Sequence, residues 1–282
     1  ELELTRGETR LVRTGLRKTT QRRVAYGMLV VGGTGLALGA VSALVAARDA
    51  DVVIVTSPPL FVGITGYLIS RLRRMPFVFE VRDLWPESAI DTGVLTNKIV
   101  IRLAYWVEAF IYRNAKLINV LTPAFYNTLR DKKGIPESKL IQISNAADFS
   151  LSERLLNDFD REAFRKQHDL DGRFVITYVG AHGVANHLEQ LLDAGEALAD
   201  TNVLFLLIGQ GMEKERVMKL AKDRKISNVR FLDSVPKAEV FRYILASEMG
   251  ASVLKRVDTF KTVYSNKTFD YMSCKKPILM AI

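Results

Sequence analysis

From about residue 50 onward, short apolar runs alternate with longer stretches in which apolar residues return every third or fourth position. The runs at 51–56, 76–81, 116–121 and 140–143 have the length and β-branched or aromatic content of buried strands. Between them the spacing predicts helices at about 60–74, 97–114 and 123–133. A polar stretch from Asn145-Ala146-Ala147-Asp148 to Gly172 interrupts this rhythm and reads as an interdomain connection. The alternation then restarts, with strands expected at 174–179, 203–208, 228–232, 249–254 and 277–282. Helices are expected from Leu188 to Leu198, where Leu188, Leu191, Leu192 and Leu198 share one face, and near 212–225, 236–247 and 266–275.

Strand–helix alternation of this kind demands parallel pairing, because a parallel neighbour is reached only by a covered crossover. The expected fold class is therefore α/β, with two Rossmann-like, doubly wound parallel-sheet domains, residues 1–148 and 149–282. A chain of 282 residues suffices for two such cores. Glu1 stands where an initiator methionine would, and the chain stops within the apolar run Pro277 to Ile282, so both domains are expected to be incomplete.

The first fifty residues follow another pattern. Residues 1–23 carry seven cations against Glu1, Glu3 and Glu8, and Val24 to Ala47 contains no charge. The uncharged stretch predicts an apolar helix over 24–47, packed on the sheet or lying at a membrane surface. Its length also meets the criterion for a single-span anchor.

Net charge is +9, which favours an anionic partner of unspecified kind. Cys274 is the only cysteine, so no intramolecular disulfide forms, and with three scattered histidines no structural zinc site is expected.

Ligands of doubly wound sheets bind beyond the carboxyl ends of the strands, so the turns there are the candidates for chemistry. Ser57, after the first long strand, offers a hydroxyl to a sugar or phosphate, or else caps a helix. In Arg82-Asp83-Leu84-Trp85-Pro86-Glu87 a carboxylate, a cation and an aromatic face lie together, suited to accepting the proton of an attacking sugar hydroxyl and stacking on its ring. The same residues also suit an Arg82–Asp83 pair that ties down a loop.

Gly180-Ala181-His182-Gly183 leads toward a helix and is suited to a diphosphate, although His182 is also an ordinary turn residue. Gly209 and Gly211 make a second close-approach turn. Ser265, Asn266 and Lys267 open another helix, whose first-turn amides and ammonium favour an anion. Asp270 lies one turn further on, placed either to receive a ribose hydroxyl or to form a surface pair with Lys267.

With these turns assembled, the chain resembles the family-4 glycosyltransferases, in particular the subgroup that builds O-antigen, capsule and colanic-acid-like polysaccharides. The resemblance runs nearly end to end and is carried by the segments 51–60, 79–88, 178–186, 208–216, 235–240 and 265–272. It implies the two-Rossmann GT-B architecture and a retaining transfer from a nucleotide diphosphate sugar, with no metal and no cofactor, to a lipid-linked saccharide acceptor.

By similarity the second domain binds the donor. Gly180, His182 and Gly183 would face the diphosphate, Gly209, Gly211 and the Phe231-Leu232 turn the base, and Ser265, Asn266 and Lys267 with Asp270 the phosphate and ribose, helped by Lys255 and Arg256. Asp83 and Asp270 are the catalytic candidates, and Ser57, Arg82, Trp85 and Glu87 the acceptor-side ones. Thr262 stands where the family carries the first of two carboxylates. The implied location is peripheral, at the cytoplasmic face of the bacterial inner membrane, with no nucleic-acid partner. Two other readings fit parts of the pattern: a non-catalytic nucleotide-sugar-binding or scaffolding homologue, and a GT-B-like sugar-nucleotide epimerase.

Overall fold

The computed structural model describes residues 23–26 and 50–282. Two compact units divide them. The first comprises Glu1–Ile90 and Leu95–Ile143, and the second comprises Asp91–Val94 and Ser144–Ile282.

The first unit contains a parallel sheet whose described strands run in chain order: β1 (Arg23–Tyr26), β2 (Ala50–Ser57), β3 (Phe77–Val81), β4 (Leu117–Val120) and β5 (Leu140–Gln142). The strand at β1 corrects the expected helix over 24–47 at its start. A short apolar run carries no periodicity that separates helix from strand, and here the edge of β2 accepts it in parallel register. The rest of that expected helix and the basic leader lie outside the described residues.

The crossovers between β2, β3 and β4 are α1 (Val62–Arg73) and, after the short α2 (Glu87–Asp91), α3 (Lys98–Asn114). Right-handed crossovers between strands laid down in chain order place both helices on one face of the sheet. Phe77, Phe79, Val81, Ile118 and Val120 point toward that face and are buried with Ile111 and Tyr112 of α3. Asn97 caps α3, its side-chain carbonyl accepting from the amides of Ile99 and Val100. The expected helix at 123–133 is α4 (Pro123–Asn127), capped by Thr122 and continued by one wider π turn, Thr128–Lys132.

The second unit holds β6 (Phe174–Val179), β7 (Val203–Ile208), β8 (Val229–Leu232), β9 (Met249–Val253) and β10 (Ile278–Ala281). Their spatial order is β10-β9-β6-β7-β8, all parallel. Chain order reverses between β6 and β9, which makes that gap the topological switch point where an open α/β sheet takes its ligand. The crossover helices are α7 (Glu189–Ala197), α8 (Lys214–Asp223), α9 (Lys237–Ala246) and α10 (Asn266–Ser273).

The polar stretch after Asp148 is more structured than its composition suggests. It forms α5 (Phe149–Asp158) and α6 (Arg161–Gln167). Leu151, Leu155 and Phe159 pack on the cluster of Phe241, Ile244 and Tyr271. The buried guanidinium of Arg165 in α6 donates to the carbonyls of Ala246, Leu170 and Arg173 and to Glu248. A helix that buries an arginine beside a single phenylalanine, Phe164, has a weak apolar signal in sequence. Among the described residues no helix is long and apolar enough to cross a membrane.

Candidate functional site

In the second unit the turns after β6 and β7 mesh by backbone. Gly180 donates its amide to the Ile208 carbonyl at 3.0 Å and His182 to that of Gln210 at 2.8 Å, while Glu213 donates back to His182 at 2.9 Å. Gly209 and Gly211 have φ of 152° and 159°. A Cβ at Gly209 would lie 1.9 Å from the Gly180 carbonyl oxygen, and one at Gly211 would lie 2.3 Å from that of His182. Both glycines are therefore demanded by contact of one turn with the next, before any ligand is considered. Gly183 differs: its φ is −115° and the nearest atom to a built Cβ is 3.8 Å away. Nothing among the described residues requires glycine there.

His182 is fully buried beneath this loop pair, its ring edge-on to Phe231 at 6.3 Å and tilted to Tyr178 at 5.9 Å. Neither ring nitrogen has a hydrogen-bond partner. Burial, and after it the Lys214 charge, push its pKa down to about 4, so the imidazole is neutral. The expected donor contact through this side chain is corrected: strand alternation and the tight turn direct the ring into the core, where it supports the loop from below. Phe231 and Leu232 are likewise the last residues of β8 rather than a turn, and both pack on the cores.

A buried lysine absent from the sequence candidates fastens the same edge. Lys214, at the start of α8, donates to the carbonyls of Gly209 and Leu232 at 2.9 and 3.0 Å and to Asp233 Oδ1 at 2.6 Å. Its only sequence signal is its position three residues after a turn that ends in glycine, which is common on helix surfaces.

Across the switch point, the amide of Lys255, beyond β9, donates to the Ala185 carbonyl at 2.8 Å and draws the β9 loop against the β6 loop. Arg256 is exposed beside it. Lys267 stands in the first turn of α10. Its Nζ donates to Ser265 Oγ at 2.9 Å and lies 5.2 Å from the centre of the Tyr178 ring. A Cβ at Gly180 would meet Lys267 Cε at 3.2 Å, so the ammonium stem runs directly past the β6 turn.

No carboxylate pairs with Lys267 among the described residues, and burial pushes its pKa down to about 8. Ser265 makes no side-chain cap to α10, and Asn266 Oδ1 accepts from Asn145 Nδ2 at 2.5 Å. Asp270 is paired not with Lys267 but with Lys237 Nζ, at 3.7 Å. Burial raises its pKa and the Lys237 charge opposes the shift. The hydroxyl of Thr262 is turned back on the Thr259 carbonyl at 2.7 Å.

In the first unit Asp83 is the second residue after β3. Ser88, one turn on, donates to its Oδ2 at 2.6 Å, while Oδ1 is buried without a partner. Burial raises the pKa of this carboxyl, and the Ser88 bond opposes the rise. Trp85 is half-buried, edge-on to Phe61 at 5.9 Å, and Arg82 is half-buried nearby.

Glu87 and Ser57 are corrected. Glu87 Oε1 accepts from Lys133 Nζ at 2.7 Å, and the same ammonium bonds the buried Glu108, so Glu87 belongs to an internal ion cluster. Its other oxygen is buried and unpartnered. Ser57 is buried and its hydroxyl donates to the Glu80 carbonyl, because it continues the inward-facing series Val53, Val55, Ser57. The outward series instead presents a group the sequence reading passed over: Glu80 accepts from Thr56 Oγ1 and Asn119 Nδ2, both at 3.0 Å. A lone carboxylate inside an otherwise apolar strand was the signal available for it.

The family model of the glycosyl transferase 4-like domain matches residues 3–146. The chain is 27% identical over 236 residues to the probable glycosyltransferase WbjE of Pseudomonas aeruginosa, a match covering 83% of this chain and 58% of that protein. It is 26% identical over 185 residues to the putative colanic acid biosynthesis glycosyl transferase WcaI of Escherichia coli (strain K12), covering 64% of this chain and 45% of WcaI. The chain thus spans about half the length of the curated relatives it matches.

Two solved structures share the fold. Anabaena Alr3699/HepE in complex with UDP and glucose superposes with a TM-score of 0.67 at 17% identity, covering 88% of this chain and 64% of that one. WaaG, a glycosyltransferase involved in lipopolysaccharide biosynthesis, superposes with a TM-score of 0.61 at 14% identity, covering 91% of this chain and 80% of that one.

Proposed function

The chain belongs to the glycosyl transferase 4-like family, and from that premise we propose that it is part of a retaining glycosyltransferase of bacterial surface-polysaccharide synthesis. The donor is a nucleotide diphosphate sugar held by the second unit, and the acceptor is a lipid-linked saccharide met by the first. The protein works peripherally at the cytoplasmic face of the inner membrane. The observation that carries the reading is the packing of Lys267 against the Gly180 turn at the switch point of the second sheet, where the Lys255 amide ties the β9 loop to Ala185, with an ammonium that lacks a carboxylate partner among the described residues. The UDP and glucose bound by Alr3699/HepE support a donor of this class.

In the reaction the acceptor oxygen bonds to the anomeric carbon on the face that the diphosphate leaves, and the electron pair of the broken C–O bond departs with the diphosphate. Lys267, the α10 first-turn amides and the backbone of the β6 turn neutralise that leaving charge, so no metal is required. Asp83 takes the acceptor proton: one of its oxygens has no partner, and burial raises its pKa, which makes the carboxylate a stronger base. Asp270, oriented by Lys237, receives a ribose hydroxyl.

The test is to incubate the complete gene product containing this chain with labelled nucleotide sugars and lipid-linked acceptor, and to resolve the products. Transfer with retained anomeric configuration is the expected result. Donor binding without transfer or hydrolysis would instead identify the non-catalytic homologue, and conversion of the donor sugar without acceptor would identify the epimerase.

A further inference from the structure

We propose that Lys133 and Glu87 are positioning residues for Asp83: the Lys133 ammonium grips α2 through Glu87, and α2 in turn holds the Asp83 carboxylate through Ser88. The inference rests on the reading of Asp83 as the group that takes the acceptor proton, and it assigns a role to residues that act only through it.

Lys133 follows the π turn after α4, its amide donating to the Thr128 carbonyl at 3.2 Å. From there its side chain, only 13% exposed, bridges two helices. The ammonium donates to Glu87 Oε1 of α2 at 2.7 Å and to the buried Glu108 Oε1 of α3, and it lies 5.5 Å from the centre of the Tyr105 ring, also on α3. Ser88, the next residue of α2, donates to Asp83 Oδ2 at 2.6 Å. Five residues are too few for a helix to hold its own shape, so the orientation of α2 is set by what it touches. Successive helix residues stand about 100° apart around the axis. Glu87 and Ser88 therefore point in different directions, and α2 cannot roll without breaking either the Lys133 bond or the Asp83 bond.

Stability alone does not account for such a cluster. Two carboxylates and an ammonium taken out of water hold helices no more firmly than apolar side chains of similar volume. What the ions add is a directional contact and a field. The groups that meet here are Lys133 from the π turn, Glu87 from α2, and Tyr105, Glu108 and Tyr112 from α3. One cation serves two carboxylates, and Glu87 Oε2 and Asp83 Oδ1 are both buried without a hydrogen-bond partner. The Glu87 charge is thus felt at Asp83. Burial raises the Asp83 pKa most, the Ser88 bond and the Leu84 amide oppose the rise, and Glu87 adds to it, whereas Glu108 is not among the causes.

The experiment uses the complete gene product containing this chain and measures kcat, KM, pH–rate profiles and urea unfolding for single variants. Glu87→Gln keeps the size of the side chain and an acceptor for Lys133 but removes the charge. It should lower kcat by about threefold to tenfold at unchanged donor KM, and move the acid limb of the profile to lower pH, because Asp83 loses a charge that raises its pKa. Lys133→Met should lower kcat by about tenfold to a hundredfold, and Lys133→Arg, which restores the cation, should recover part of that loss. Glu108→Gln is the matched control. It removes a carboxylate from the same ammonium without touching α2, and should lower the unfolding midpoint while leaving the acid limb in place. If Lys133→Met does not fold, the Glu87→Gln profile still decides.

An acid limb that stays put in Glu87→Gln would overturn the proposal. So would equal losses of activity in Glu87→Gln and Glu108→Gln that follow their losses of stability, since the cluster would then serve the fold alone. Asp83→Asn, assayed beside them, separates this failure from that of the reading beneath it. Lost turnover in Asp83→Asn with normal turnover and an unmoved profile in Glu87→Gln sinks the positioning role only; normal turnover in Asp83→Asn removes both.

Discussion

The Cβ position of Gly209 lies 1.9 Å from the carbonyl oxygen of Gly180. Two turns that end neighbouring strands are thus pressed backbone to backbone, and the β6 turn is held in place by the one after β7. This fixes which glycines the fold itself requires.

Gly209→Ala and Gly211→Ala are expected to destabilise the second unit by about 3 kcal/mol or more, since each adds a backbone clash to an unfavourable φ. Gly183→Ala should be neutral or stabilising by about 0.5–1 kcal/mol, because its backbone is already in the β region and the space is open. If the diphosphate lies against the β6 turn, Gly183→Ala should still weaken donor binding. Urea unfolding and donor calorimetry on the same proteins separate the two effects.

Lys267→Met should weaken donor binding by about tenfold to a hundredfold through loss of a charged hydrogen bond. In the parent protein the ammonium is charged below about pH 8 and loses its proton above it. Donor affinity should therefore decline as pH rises through that value, and calorimetric titrations across pH should show the decline vanish in the methionine variant.

Asp83→Asn in the complete enzyme should reduce kcat by about 10²- to 10⁴-fold while leaving the donor dissociation constant unchanged. Normal turnover would remove the residue from proton transfer. Ser88→Ala is milder: it releases one oxygen of Asp83 and removes a bond that opposes the raised pKa. It should shift the acid limb of the pH–rate profile upward without abolishing activity.

His182 has a pKa of about 4 in the folded chain against 6.5 when unperturbed. The unfolded state therefore binds the extra proton between those values, and stability falls as pH drops from about 6.5 toward 4. His182→Leu, which suits the same buried site, should remove this loss. Denaturation midpoints measured at pH 7 and pH 4.5 should converge in the variant relative to the parent.

Much of the architecture could be read directly from residue order. The strands at 174–179 and 203–208 coincide with β6 and β7 to the residue, because period and β-branched content are properties of a single segment. Lys267 was legible for a similar reason: the start of a helix exposes amides whatever surrounds it. What depended on distant parts of the chain was not legible. The ring of His182 is buried by Phe231 and Tyr178, Glu87 is captured by Lys133 forty-six positions away, and Asp270 takes Lys237 in preference to its near neighbour on the helix. The switch point exists only once β9 has come to lie beside β6. Local pattern sets which element forms, whereas burial and charge pairing are decided by whichever side chains the folded sheet brings together.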